Sequence, residues 1–284
     1  MLPTYLLSLR EGLEAALIIG IVLGALRKIH RTDLSPALWL GTLSALVVSI
    51  LAAILLTTLG LSFEGRAEQI YEGVTLLLAA CILTWTIFWM NSQAKNMRGE
   101  LEEGVNKAAG YAAGRRAIFW LAFVAVVREG VELALFLAAA FFAGSKENIM
   151  ANTILILTGV VLGLGTAILL GWSLLATTAR LNLKRFFQVT GYLLILFAAG
   201  LVAHGIHEFN EAGWIPNVIE HVWDVNVIID ETSVLGELLK TLFGYNGNPS
   251  LTEVIGYFTY LASVIFLFTR NTVKRDVRVA QTQP

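Results

Sequence analysis

Leu6-Leu7-Ser8-Leu9-Arg10-Glu11-Gly12-Leu13-Glu14-Ala15-Ala16-Leu17-Ile18-Ile19-Gly20-Ile21-Val22-Leu23 is an apolar stretch with three charged residues set in its middle. Apolar runs of about 18 residues or more read as membrane-spanning helices. At the centre of a bilayer each charged side chain costs about 2.5–3.5 kcal/mol. Arg10, Glu11 and Glu14 must therefore be paired, face a polar cavity, or hold an ion. The stretch has no basic leader and no small-residue cleavage site, so it is expected to be a retained first span rather than a signal peptide.

The rest of the chain has the same character. Its 284 residues are 56% hydrophobic and 14% charged, too little charge to coat a soluble domain. Mean hydropathy is +0.71. The net charge of −1 gives no basic surface for nucleic acid. A single cysteine, Cys81, rules out both a disulfide framework and a thiolate metal cage. Spans are expected at about 4–26, 36–60, 69–90, 117–143, 150–176, 186–207 and 252–269. The predicted fold is an all-α polytopic membrane protein of about seven transmembrane helices in one transmembrane domain.

Lys and Arg alternate between the connections. Arg27, Lys28 and Arg31 precede a connection with Arg66 alone, then Lys95, Arg98, Lys107, Arg115 and Arg116 precede Lys146 alone. Arg180, Lys184 and Arg185 precede Lys240, and the tail at 270–284 carries Arg270, Lys274, Arg275 and Arg278. The positive-inside rule then puts the N-terminus outside and the C-terminus in the cytoplasm of a plasma or bacterial inner membrane. Trp39, Trp89, Trp120 and Trp172 fall near the cytoplasmic boundary, where an aromatic belt facing membrane lipid is expected.

A shift of 118 residues lays Arg10-Glu11-Gly12-Leu13-Glu14 on Arg128-Glu129-Gly130-Val131-Glu132, Gly41 on Gly159 and Gly73 on Gly191. Residues 4–90 thus read as one three-span repeat and 117–208 as a second. Three crossings are an odd number, so the copies are expected to have inverted topology, with a site near the midplane. The loop 209–251 and the seventh span stand outside this 3+3 arrangement.

On a helix, positions 10, 11 and 14 share a face about 100° wide, as do 128, 129 and 132. One reading is that these are buried Arg–Glu pairs that hold helices together. Four carboxylates against two guanidiniums leave two negative charges over, however, which a multivalent cation would neutralise. Glu11, Glu14, Glu129 and Glu132 are the candidate ligands, a hard oxygen set suited to Fe(III), Mn(II), Mg(II) or Ca(II), with Arg10 and Arg128 orienting them. Gly12 and Gly130 are expected to let the two motif helices cross closely.

The doubled Arg-Glu-Gly-(Leu/Val)-Glu motif, in the first and fourth of seven spans, resembles the oxidase-dependent iron permeases, the bacterial EfeU-type and fungal high-affinity permeases. The resemblance covers nearly the whole chain. It implies a transporter rather than an enzyme, with iron as transported substrate handled by the motif glutamates and no bound organic cofactor. It also implies extracytoplasmic partners: a multicopper ferroxidase, or an EfeO-like binding protein and an EfeB-like haem peroxidase. A lead-uptake branch shares the pattern, so a carrier for Mn(II) or Pb(II) is one alternative. A membrane scaffold for an extracytoplasmic ferroxidase is another. Small-residue faces permit a homo-oligomer.

The expected outer ends of spans 3 and 6 carry Glu64, Glu68, Glu72, His204, His207, Glu208 and Glu211, and the loop adds Glu220, Asp224, Asp230, Glu231 and Glu237. Acidic side chains there either steer cations inward or form ordinary solvated surface. Glu68, Glu72, His204, His207, Glu208 and Glu211 are the candidates for an outer capture site. The apolar stretches 225–229 and 235–242 suggest short helices on the outer face, a potential docking surface. His207-Glu208-Phe209-Asn210-Glu211 ends in Glu where the metalloprotease pattern needs His, and no phosphate-binding loop is present.

Overall fold

The computed structural model describes residues 1–93, 97–110, 114–144, 149–176, 183–216, 222–226 and 244–281, with isolated positions at 219, 233, 236 and 239. Helices account for nearly all of it: α1 (Leu2–Lys28), α2 (Ser35–Ser62), α3 (Arg66–Gln93), α4 (Met97–Gly110), α5 (Gly114–Phe142), α6 (Ile149–Ala176), α7 (Leu183–Glu211) and α8 (Leu251–Gln281). No strand occurs among the described residues.

Four stretches, Thr32–Ser62, Arg66–Trp89, Ile149–Ser173 and Phe186–Glu211, are long and apolar enough to cross a membrane. The apolar part of α8 is shorter, Leu251–Leu267. α1 and α5 match the others in length, at 27 and 29 residues, but each carries the three charges of its motif. The apolar side chains of α2 point outward: Leu43, Val47, Leu51 and Leu55 are all more than half exposed. Such a surface is the reverse of a soluble protein's and fits a lipid environment. Trp39, Trp120 and Trp172 are exposed too.

Two compact units divide the chain: Met1–Phe63 with Met90–Thr190, and Glu64–Trp89 with Gly191–Pro284. In the first, α1 packs along α6 and α2 along α5, while α1 also meets α5. Glycines permit these approaches. A methyl group on Gly12 would meet Ala167 Cβ and Leu164 Cδ2 at 2.9 Å, and one on Gly130 would overlap Ser49. The motif glycines therefore face α6 and α2, while α1 and α5 also meet. Successive helical residues turn by about 100°. Gly12 consequently looks to one side of α1 and the carboxylates to another.

These contacts come in matched pairs. Gly41 lies against Phe119 O and Ala122, and Gly159 lies against Met1 O and Thr4. Adding 118 to 41, 1 and 4 gives 159, 119 and 122. Ser49, which faces Gly130, maps on Ala167, which faces Gly12.

The basic connection between the third and fourth expected spans contains α4. Its Glu and Ala content favours helix, Glu103 and Lys107 pair at 2.6 Å one turn apart, and Val105 and Ala108 are buried against Leu26, Leu34, Leu38 and Ile118. In the second unit α3 and α7 cross where Gly73 meets Gly205 O. α7 runs four residues past its expected end, to Glu211, and α8 continues beyond 269 to Gln281. Within the 209–251 loop, 217–218, 220–221, 227–232, 234–235, 237–238 and 240–243 lie outside the described residues, and with them Glu220, Asp230, Glu231, Glu237 and most of both apolar stretches.

Candidate metal-ion site

The first unit buries a cluster of charge. Arg10, Glu11, Glu14 and Glu129 are 1%, 1%, 3% and 5% exposed. Helix spacing sets the cluster. Arg10 Nη1 donates to Glu11 Oε1 at 3.0 Å, and Arg10 Nε lies 3.4 Å from Glu14 Oε1 one turn on. α5 brings Glu129 to the same place, so that one oxygen each of Glu11, Glu14 and Glu129 lies within 4.8 Å of the other two. Among the described residues no other three His, Cys, Asp or Glu side chains converge in this way.

Glu11 Oε2, Glu14 Oε1 and Glu129 Oε2 are buried without a hydrogen-bond partner. A buried oxygen left without a donor costs about 1–3 kcal/mol, more when charged. Three buried carboxylates gathered at one point have a natural complement in a cation. Hard divalent ions take oxygen ligands at about 2.0–2.6 Å, a reach compatible with oxygens up to 4.8 Å apart.

The second motif is arranged differently. Arg128 Nε donates to Glu132 Oε1 at 3.1 Å and lies 4.0 Å from Glu129 Oε1. The Arg128 side chain is 41% exposed and that of Glu132 14%, against 2% for Arg10. Of the four glutamates singled out in the sequence, three converge and the fourth stands at the edge, paired to its own arginine.

The outer-capture candidates lie in the second unit and do not form one ligand cluster. Glu72 and Glu208 are buried, at 4% and 6% exposed. Glu68 is half-buried, and His204 Nδ1 is 3.3 Å from Gly200 O. His207 lies between two carboxylates, with Nε2 3.2 Å from Glu211 Oε1 and Nδ1 3.0 Å from Glu253 Oε1. Only the doubly protonated ring donates at both nitrogens, and in that form His207 ties helices together and has no lone pair for a metal. Gln69 Nε2 extends the link by donating to Glu211 Oε2 at 3.0 Å.

Glu253 was missed in the sequence, yet it had a signal. Ser250-Leu251-Thr252-Glu253 is a capping box: Glu253 N donates to Ser250 Oγ, and Ser250 N donates to Glu253 Oε1, both at 3.3 Å. Asn246 Nδ2 donates to the other oxygen, Glu253 Oε2, at 2.8 Å. Beside Glu253 a cavity of about 310 Å³ is walled by Trp223, Tyr245, Tyr257 and Phe258.

Comparison with known proteins shows the family. Residues 1–278 match the model of the iron permease FTR1 family. The chain is 34% identical to the ferrous iron permease EfeU of Escherichia coli O6:K15:H31 over 270 residues, 94% of this chain and 95% of that one. It is equally similar to EfeU of Shigella sonnei, and 33% identical to EfeU of Yersinia pestis over 269 residues, 94% and 93% of the two chains. No solved structure matches it. Buried carboxylates on apolar helices and a family match across nearly the whole length lead to one conclusion: this chain is a multi-pass membrane transporter belonging to the FTR1 iron permease family.

Proposed function

We propose that this chain moves iron into the cytoplasm through the carboxylates of its two motifs, Glu11, Glu14, Glu129 and Glu132, oriented by Arg10 and Arg128. The observation that carries the reading is the convergence of Glu11, Glu14 and Glu129 on one buried point, each with an oxygen that has no hydrogen-bond partner. Four carboxylates and two guanidiniums leave two negative charges, the complement of a divalent ion. That agrees with the ferrous iron named for the relatives. Iron is cargo here, and the carriage requires no organic cofactor.

The seven-span reading and its inverted 3+3 repeat belong to the same proposal. Its support is the matching of Gly41 with Gly159 and of Gly12 with Gly130, each glycine meeting partners that the 118-residue shift exchanges. The Lys and Arg alternation supports an outer N-terminus and a cytoplasmic C-terminus. Iron reaches the outer face from other components of an Efe-type system, an EfeO-like binding protein and an EfeB-like oxidase. Acidic residues near the outer ends of α3 and α7, Glu68, Glu72, Glu208 and Glu211, raise the local cation concentration.

The test is uptake of radiolabelled Fe(II) into liposomes containing the purified chain. Glu14→Gln and Glu129→Gln each remove one ligand charge with little change of shape, and each is expected to cut uptake by about 100-fold or more, beyond the effect of losing a supporting residue. Excess Mn(II) or Pb(II) should compete weakly. Wild-type uptake in both variants would overturn the site, and stronger uptake of Mn(II) or Pb(II) would change the cargo.

A further inference from the structure

The two motifs are alike in sequence and unlike in setting. In the first, Arg10 is 1% exposed and reaches both glutamates of its own motif, at 3.0 and 3.4 Å. In the second, Arg128 is 41% exposed, holds Glu132 at 3.1 Å and leaves Glu129 at 4.0 Å. The ligand atoms that converge are those of Glu11, Glu14 and Glu129. Glu132 is outside that triad although it occupies the position of Glu14 in its copy.

The two motifs also differ in their surroundings. Trp120, Val124 and Val131 form an exposed stripe along the helix, 57%, 59% and 42% exposed, and Arg128 lies at its edge. The position equivalent to Val131 in the first copy, Leu13, is 1% exposed. One motif is sealed and the other stands beside the surface.

We propose that the two motifs divide the work: Glu11, Glu14 and Glu129 hold the ion, while the Arg128–Glu132 pair is the gate through which it exchanges. This rests on the proposed transport site. A cation arriving at Glu132 replaces Arg128 as its partner, and the displaced guanidinium stays within reach of Glu129, whose Oε1 lies 4.0 Å from Arg128 Nε. The ion then passes to the triad, whose net charge with Arg10 is −2. When it has moved on, Arg128 re-forms the pair and closes the access. Arg10 makes no such exchange, because it is sealed between its two carboxylates and serves as the fixed counter-charge of the site.

The test separates holding from exchange. The purified chain in nanodiscs is loaded anaerobically with radiolabelled Fe(II), and its equilibrium binding and its rate of release to ferrozine are measured. The double variant Arg128→Gln/Glu132→Gln removes the pair without stranding a charge. It is expected to release Fe(II) about tenfold faster than wild type or more, with a binding loss well short of the roughly 100-fold loss of Glu14→Gln. Arg128→Lys keeps the charge but not the planar fork and should release at an intermediate rate. Loss of binding in the double variant to the level of Glu14→Gln would overturn the gate and make the four glutamates equal. An unchanged release rate would overturn it as well. Wild-type binding in Glu14→Gln would instead remove the transport site beneath it.

Discussion

Arg10 illustrates what a fully buried charge requires of its neighbours. At 1% exposed it has Glu11 and Glu14 within 3.4 Å, and removing it would leave carboxylates with no counter-charge. Breaking such a buried pair costs about 3–5 kcal/mol. Arg10→Leu is therefore expected to lower the thermal stability of the purified protein markedly, and by more than Arg128→Leu, whose pair is 41% and 14% exposed. Melting of the two variants in detergent tests this, and equal losses would mean that the exposure of Arg128 is not its working state. Glu253 makes the same point with capping. Its oxygens take donors from Ser250, Asn246 and His207 at the start of α8. Glu253→Ala should weaken that helix start by about 1–2 kcal/mol, the range of a lost cap, read as faster amide exchange at 251–255.

At the scale of helices, the membrane made part of the fold plain in the sequence. A bilayer imposes one length on every crossing and forbids unpaired backbone within it, so the apolar helices could be read directly, and the mid-span motifs at residues 10–14 and 128–132 stood out against them. α4 could not be read this way. It lies in a polar connection, and its helicity comes from the burial of Val105 and Ala108 against Leu26 and Ile118, contacts made by distant parts of the chain. Glycine partners were hidden for a similar reason. Spacing tells that Gly12 and Gly130 are small, but not that they face α6 and α2. The Gly130 contact yields a prediction. A methyl there would overlap Ser49, so Gly130→Ala should cost about 1–3 kcal/mol by overpacking, and Ser49→Gly should restore most of it. Thermal melts of the two single variants and the double variant decide, and a double variant no better than Gly130→Ala would show that the approach of α2 to α5 is set elsewhere.

For the molecule as a whole, the proposed inverted repeat and the charge alternation together predict one arrangement in the membrane. If the copies are inverted, the connection after the second span and the one after the third must lie on opposite sides. The first holds Glu64, the second Gly99 at the start of α4. Both positions are exposed, so a cysteine at either is open to reagent. With Cys81 replaced by Ser, Glu64→Cys is expected to react with a membrane-impermeant maleimide in intact cells, and Gly99→Cys only after the cells are permeabilised. The direction follows from Arg98, Lys107, Arg115 and Arg116 in the second connection against Arg66 alone in the first. Reaction of both positions from outside would break the odd crossing number of each copy and with it the inverted repeat. The reversed pattern would keep the repeat and turn the molecule over. Glu68 and His207 would then face the cytoplasm, and the acidic ends of α3 and α7 would be an exit for iron rather than a place of capture.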